Sequence, residues 1–122
     1  MAKKILILED EKILSDLLEK KLKEEDYEVV VAPNGEVGLS KMKEEKFDLI
    51  LLDVIMPKKG GFEVLEEMQK DAELKEIPVI IISNSGQPVE ISRALELGVK
   101  DYLVKTQFDP QEVIEKVKKQ IR

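Results

Sequence analysis

The sequence predicts an α/β fold made of five strand–helix repeats, and three observations predict it. Short apolar runs recur at residues 5–8, 29–32, 49–52, 79–82 and 102–104. Each run is continuous rather than alternating, the pattern of strands buried on both faces. Between the runs the apolar period changes to that of a helix. Strands alternating with helices give parallel strands, right-handed crossovers and helices on both sides of a doubly wound sheet.

The helices follow in order. Ile13, Leu14, Leu17, Leu18 and Leu22 form the apolar stripe expected of the first. Val37 and Met42 mark the second, which Gly38 disfavours by about 1 kcal/mol relative to Ala. Val64, Leu65 and Met68 mark the third. Ile91, Ala94 and Leu95 mark the fourth, which is expected to end near Gly98 as its C′ residue. Asp109-Pro110 opens the fifth as N-cap and N1, with Glu112 at N3 and a stripe of Val113, Ile114, Val117 and Ile121. No long linker, repeat or low-complexity segment interrupts this (βα)5 pattern. One domain over residues 1–122 with a single core is expected. In the flavodoxin-like strand order 2-1-3-4-5, strands 1 and 3 are neighbours at the topological switch point. Ligands bind there, at the carboxyl ends of the strands.

Composition removes several function classes. Of the 122 residues 43% are apolar, enough for a core. The net charge of −6 argues against direct nucleic-acid binding, which needs a basic surface. No apolar stretch approaches the roughly 18 residues of a membrane span, and no N-terminal signal segment is visible. There is no cysteine, so disulfides and thiol chemistry are excluded and a cytoplasmic location is expected. Histidine is absent too. The domain has no imidazole to serve as base, metal ligand or phosphocarrier. Any phosphoryl group it receives must come from outside and land on a carboxylate or hydroxyl.

The ends of the strands carry the candidate chemistry. Glu9 and Asp10 follow the first run, Asp53 the third, Ser83 the fourth and Lys105 the fifth. Each residue is unremarkable alone: an acidic helix cap, a turn residue, a solvated lysine. Their joint placement at four strand ends is the signal. Three carboxylates brought together repel one another unless a cation neutralises them. Only oxygen ligands are on offer, which favours Mg2+ over zinc or copper. Asp10 and Asp53 are the expected direct ligands. Glu9 is expected to act through water or from the rim, and the backbone carbonyl of Ile55 is a further candidate oxygen. A carboxylate that attacks phosphorus forms an acyl phosphate, a reaction that needs positioning and charge neutralisation more than a base. Lys105 is placed to pair with one phosphoryl oxygen and Ser83 to donate to another.

With these residues in view, the chain resembles the receiver domain of two-component response regulators. The motifs are Ile7-Leu8-Glu9-Asp10-Glu11, Leu51-Leu52-Asp53-Val54-Ile55-Met56-Pro57 with Gly61, Ile81-Ile82-Ser83, and Asp101-Tyr102-Leu103-Val104-Lys105. The resemblance spans Lys3 to about Ile121. It implies Asp53 as phosphoacceptor, Glu9 and Asp10 as the acidic pair, Ser83 and Tyr102 as the switch pair, and Lys105 as the phosphoryl-binding lysine. It also implies a histidine kinase or histidine phosphotransfer protein as donor and a downstream protein target. The output face would be the fourth helix, fifth strand and fifth helix, in a monomer or a phosphorylation-dependent homodimer.

Three departures from the family pattern bear on function. Thr106 follows Lys105 where a proline with a cis bond is usual, which leaves the lysine's placement open. Asn84 follows Ser83 where a smaller residue is usual, and is expected to narrow access to Asp53 or form its own hydrogen bond. Ile55 stands where fast-hydrolysing relatives carry a polar residue, so a long-lived phosphoryl state is expected. Two competing readings follow from the same residues. One is a binding module of the same fold that works without phosphorylation. The other is a Mg2+-dependent aspartyl phosphohydrolase, disfavoured because its nucleophile would end the first strand in an Asp-x-Asp pattern.

Overall fold

Five parallel strands alternate with five helices in the computed structural model, which describes residues 2–56, 58–84, 87–105 and 109–121. The elements are β1 (Lys4–Leu8), α1 (Lys12–Glu24), β2 (Glu28–Ala32), α2 (Gly35–Glu44), β3 (Leu49–Asp53), α3 (Gly61–Gln69), β4 (Val79–Ser83), α4 (Pro88–Glu96), β5 (Asp101–Val104) and α5 (Pro110–Ile121). A single 3-10 turn, Leu74–Glu76, precedes β4. The sheet order is β2-β1-β3-β4-β5, the order expected from the sequence. Leu8 pairs with Leu52, so the residues that follow β1 stand abreast of the end of β3.

Strand parity divides the core. Leu6, Leu8, Ile50, Leu52 and Ile81 face α2, α3 and α4, where Met42, Val64, Leu65, Met68 and Ala94 meet them. Ile5, Ile7, Leu49, Leu51, Ile80 and Ile82 face α1 and α5, against Leu18, Leu22, Val113, Ile114 and Val117. Successive side chains on a strand point to opposite faces, so a strand covered on both sides must be apolar throughout. β3 and β4 are buried at every position. Each fully buried Leu or Ile contributes about 1.5–3 kcal/mol.

The α1 stripe differs from expectation. Ile13 is 88% exposed and Leu17 is also exposed, while Ser15 is buried. The inward face is Leu14, Leu18 and Leu22, spaced four apart, with Ser15 three residues before Leu18. Ile13 and Leu17 each precede an inward residue by one, a rotation of about 100° about the helix axis. On α4 the same offset leaves Leu95 exposed beside the buried Ala94.

Local chemistry explains the helix ends. Asn34 caps α2, its side chain accepting from the Val37 N–H at 2.9 Å. Asp109 accepts from the Glu112 N–H at 3.1 Å, as expected of an N-cap. α4 ends in a Schellman motif, with Gly98 N–H donating to Leu95 and Val99 N–H to Ala94. Gly98 takes a φ of +89° there, a conformation glycine adopts without penalty. α1 ends with the same bond pattern, Asp26 N–H to Lys23 and Tyr27 N–H to Leu22. Gly38, unfavourable by propensity, is explained by packing. A Cβ there would lie 2.2 Å from Leu8 Cδ2, so α2 can rest on β1 only without one. Among the described residues no helix is long and apolar enough to cross a membrane.

Candidate phosphoacceptor and metal site

β1 and β3 lie side by side at the centre of the sheet, so their carboxyl ends deliver acidic residues to one spot. Glu9 leaves β1 with its N–H donating to the Ala32 carbonyl at 3.0 Å. Asp53 is the last residue of β3. Glu9 and Asp53 are buried, whereas Asp10 is exposed. One carboxylate oxygen from each of the three lies within 4.8 Å of the others. Glu9, expected to act through water or from the rim, is the buried member of the acidic pair and Asp10 the exposed one. The physical reason is register: Glu9 continues β1 with its N–H bonded to Ala32, and Asp10 sits one residue further out.

Lys105 stands just beyond β5, and its N–H donates to the Ser83 carbonyl at 2.6 Å. Its side chain is 7% exposed. The ammonium donates to Glu9 Oε1 at 2.9 Å, Glu11 Oε2 at 2.9 Å and Asp53 Oδ2 at 3.2 Å. The lysine whose placement the sequence leaves open thus lies on the acidic cluster. Thr106, and with it the Lys105–Thr106 bond, lies outside the described residues. Ser83 is buried at the end of β4, where β4 pairs with β3. Burial raises the phenol of the half-buried Tyr102, with Ser83 pulling the other way and the charges of Glu90 and Asp53 adding to the rise. Asn84 is exposed beside Ser83. The Ile55 N–H reaches Asp53 Oδ1 at 3.4 Å, a long contact, and the Ile55 side chain is 68% exposed. Glu11 is the residue that sequence reasoning missed. It stands at the N-cap of α1 but makes no side-chain cap bond, and turns to Lys105 instead.

The electrostatics follow from burial. Glu9 is pushed up to about 8, mainly by burial, with Lys105 pulling the other way. Burial also raises Asp53, against the attraction of Lys105. Burial disfavours the charged Lys105, yet its bonds to Glu11 and Glu9 and the charge of Asp53 leave its pKa raised. Lys105 in turn holds Glu11 below the usual carboxylate range. Glu9 Oε2 is buried and has no hydrogen-bond partner among the described residues. A buried carboxylate oxygen with no donor is costly unless a cation reaches it. That orphan oxygen, in an all-oxygen donor set, fits a hard divalent cation such as Mg2+.

A pH dependence follows. A carboxyl whose folded pKa lies above its unfolded value contributes stability at acid pH, which is lost as pH rises through the folded value. The metal-free protein is therefore expected to lose stability between the ordinary 4.5 of Glu9 and about 8. Mg2+ should stabilise most at the alkaline end, where its ligands are ionised. Melting temperatures from about pH 5 to about pH 9, with and without Mg2+, check this. A Mg2+ increment that does not change with pH would contradict it.

A doubly wound α/β domain thus carries, at its switch point, an acidic cluster that could hold a metal ion. A family model described as the response regulator receiver domain matches residues 5–118. The chain belongs to that family, the phosphoacceptor domains of two-component signalling, which interact with histidine kinases and are generally not enzymes themselves. Solved structures agree. The response regulator TrrA of Thermotoga maritima, determined in complex with Mg2+ and beryllofluoride, is 35% identical with a TM-score of 0.84, covering 97% of this chain and 98% of that one. A CheY-like receiver domain from Methanospirillum hungatei is 29% identical with a TM-score of 0.90, covering 99% and 94%. The receiver domain of a signal transduction histidine kinase from Syntrophus aciditrophicus is 28% identical with a TM-score of 0.89, covering 98% and 90%.

Proposed function

We propose that this chain is a phosphorylation-dependent switch that accepts a phosphoryl group on Asp53 from a histidine kinase or histidine phosphotransfer protein. The observation that carries this is the setting of Asp53: buried, at the end of β3, clustered with Glu9 and Asp10 and 3.2 Å from the Lys105 ammonium. An Asp53 carboxylate oxygen attacks the phosphorus of a phosphohistidine, forming a P–O bond as the P–N bond breaks and the electron pair leaves with the donor imidazole. Glu9, Asp10, Asp53 and the Ile55 carbonyl would hold Mg2+, which when bound neutralises charge on the phosphoryl oxygens. Lys105 passes an N–H from Asp53 to a phosphoryl oxygen, and Ser83 donates to another.

The added group brings roughly −1.5 to −2 charges. Ser83 reaches toward it, and its pairing with Val104 ties that movement to β5. The face of α4, β5 and α5 then shifts between two states, and a downstream protein reads the difference. The domain spans 1–122 and works in the cytoplasm as a monomer or a phosphorylation-dependent homodimer. The test is the intact mass after incubation with Mg2+ and a small acyl phosphate. One phosphoryl adduct, removed by hydroxylamine as an acyl phosphate is, is the expected result. No adduct from either a small donor or a phosphorylated histidine protein, or only a hydroxylamine-stable one, would overturn the reading. That outcome would favour a binding module of the same fold.

Ile55 sets the lifetime of the phosphorylated state. Its exposed side chain stands two residues from Asp53 and has no polar atom to orient an attacking water. The phosphoryl state is expected to last minutes or longer, and Ile55→Asn to shorten it about tenfold, the upper end of what one added hydrogen bond to the attacking water is worth. Decay followed by loss of label measures this. A half-life of seconds that Ile55→Asn leaves unchanged would contradict it.

A further inference from the structure

We propose that Glu11 is a positioning residue for phosphoryl transfer, holding the Lys105 ammonium over Asp53. The inference rests on Asp53 being the acceptor. An ammonium has three N–H donors, and Lys105 meets three carboxylates, Glu9 and Glu11 at 2.9 Å and Asp53 at 3.2 Å. The side chains of Glu9 and Asp53 are 0% and 5% exposed, that of Glu11 52%. Glu11 therefore closes the side of the ammonium that would otherwise turn to water. Lysine is a strongly hydrated point charge on a flexible stem, and without a third partner its head is free to swing outward.

The role of Glu11 is separable from that of a helix cap. It stands at the N-cap of α1, yet its side chain makes no bond to the helix. Its backbone N–H donates to Glu9 Oε1 at 3.2 Å, the same oxygen that accepts from Lys105. Main chain and side chain of Glu11 thus flank the Lys105–Glu9 pair. Of the three carboxylates, Asp53 is altered when its oxygen bonds to phosphorus, and Glu9 belongs to the metal cluster. Glu11 is the one whose charge stays committed to Lys105 before and after transfer. The covalent step is unchanged by it: the donor P–N bond breaks and the Asp53 P–O bond forms, with Lys105 already in place.

Two measurements test this in the full chain. Lysine ammonium protons held in ion pairs exchange slowly enough to give a 15N–1H signal. A Lys105 signal, assigned by its loss in Lys105→Ala, is expected in the wild type and lost or strongly broadened in Glu11→Gln. Gln keeps the main-chain bond to Glu9 and the side-chain length. The second measurement is the rate of phosphorylation by a small acyl phosphate at saturating Mg2+ in a double-mutant cycle. Glu11→Gln is expected to slow it about three- to tenfold with Lys105 present, and by less than about 1.5-fold in the Lys105→Ala background. A Lys105 signal indifferent to Glu11→Gln would overturn the proposal. So would equal effects in both backgrounds, which would mean Glu11 acts by its charge on the donor. A wild type that takes no phosphoryl group would bring down the reading of Asp53, and this proposal with it. The ammonium signal, which needs no phosphorylation, would still report the Glu11–Lys105 contact and so tell that failure apart from a failure of Glu11 alone.

Discussion

Asp53→Asn is expected to abolish the phosphoryl adduct and, in the metal-free protein, to raise thermal stability. The amide keeps the shape of the side chain and an acceptor for the Ile55 N–H, but loses the anionic nucleophile. Among the described residues no neighbour replaces it. Glu9 is 1% exposed, and its Oε1 already accepts from Lys105 and the Glu11 N–H. Ser83 is equally buried and has no histidine anywhere in the chain to deprotonate it. Adduct formation should fall below detection, a loss of at least about a hundredfold for removal of a covalent nucleophile. The stability gain has the opposite sign because burial raises the Asp53 pKa. Its ionised form costs the folded state free energy above the ordinary value of 3.8, and the amide removes that cost. The gain should appear near neutral pH and vanish in acid. About 1 kcal/mol would move the melting temperature by several degrees in a domain of this size. Lys105 keeps Glu9 and Glu11 as partners, so the ammonium is not stranded. A lower melting temperature near pH 8 would show that the lost Lys105 contact outweighs relief of the buried charge. An adduct on the variant would place the acceptor elsewhere.

The fold was legible because strands buried on both faces leave continuous apolar runs that few other elements produce. β1, β3 and β4 are of that kind, and the residues just beyond them could be read as one cluster once the strand order was assumed. The rotation of α1 was not legible. Ile13 and Leu17 are as apolar as Leu14 and Leu18, and hydropathy alone does not choose between stripes offset by one residue. A buried Ser15 on the inward face runs against it. The partnership of Glu11 with Lys105 was hidden for a different reason. The two are 94 residues apart, on loops of strands separated by β3 and β4. They meet only because a long lysine side chain reaches across the carboxyl edge of the sheet. In the sequence, Glu11 reads as one more acidic residue at a helix start, and such residues interact favourably with the helix dipole without further purpose. Gly38 was read as a weakness of α2, since propensity is local, whereas its benefit lies in contact with Leu8 on another element.

Gly61→Ala is expected to destabilise the domain by about 1–3 kcal/mol and to weaken the site as well. Gly61 opens α3, where Ala would be the better helix former by about 1 kcal/mol. Space decides against it. A Cβ at Gly61 would lie 2.5 Å from the Asp53 carbonyl oxygen, 2.8 Å from Val54 Cα and 3.2 Å from the Asp53 carbonyl carbon. All three atoms are backbone, so no side-chain rotation relieves the contact. The Gly61 N–H also donates to the Val54 carbonyl at 2.8 Å, clamping the start of α3 to the end of β3. Relief requires either breaking that bond or moving the backbone that carries Asp53. The second response shifts the acceptor relative to Glu9 and Lys105, so Mg2+ affinity and phosphoryl uptake should fall together with stability. Gly60→Ala is the control. Among the described residues its Cβ would meet only the Val54 carbonyl oxygen, at 3.2 Å, a contact that a small adjustment accommodates, and its effect should stay below about 1 kcal/mol. Equal losses from the two variants in chemical denaturation would point to general stiffening of the loop. A large loss from Gly61→Ala alone, with weakened Mg2+ binding, would show that the close approach of α3 holds Asp53 at its place in the cluster.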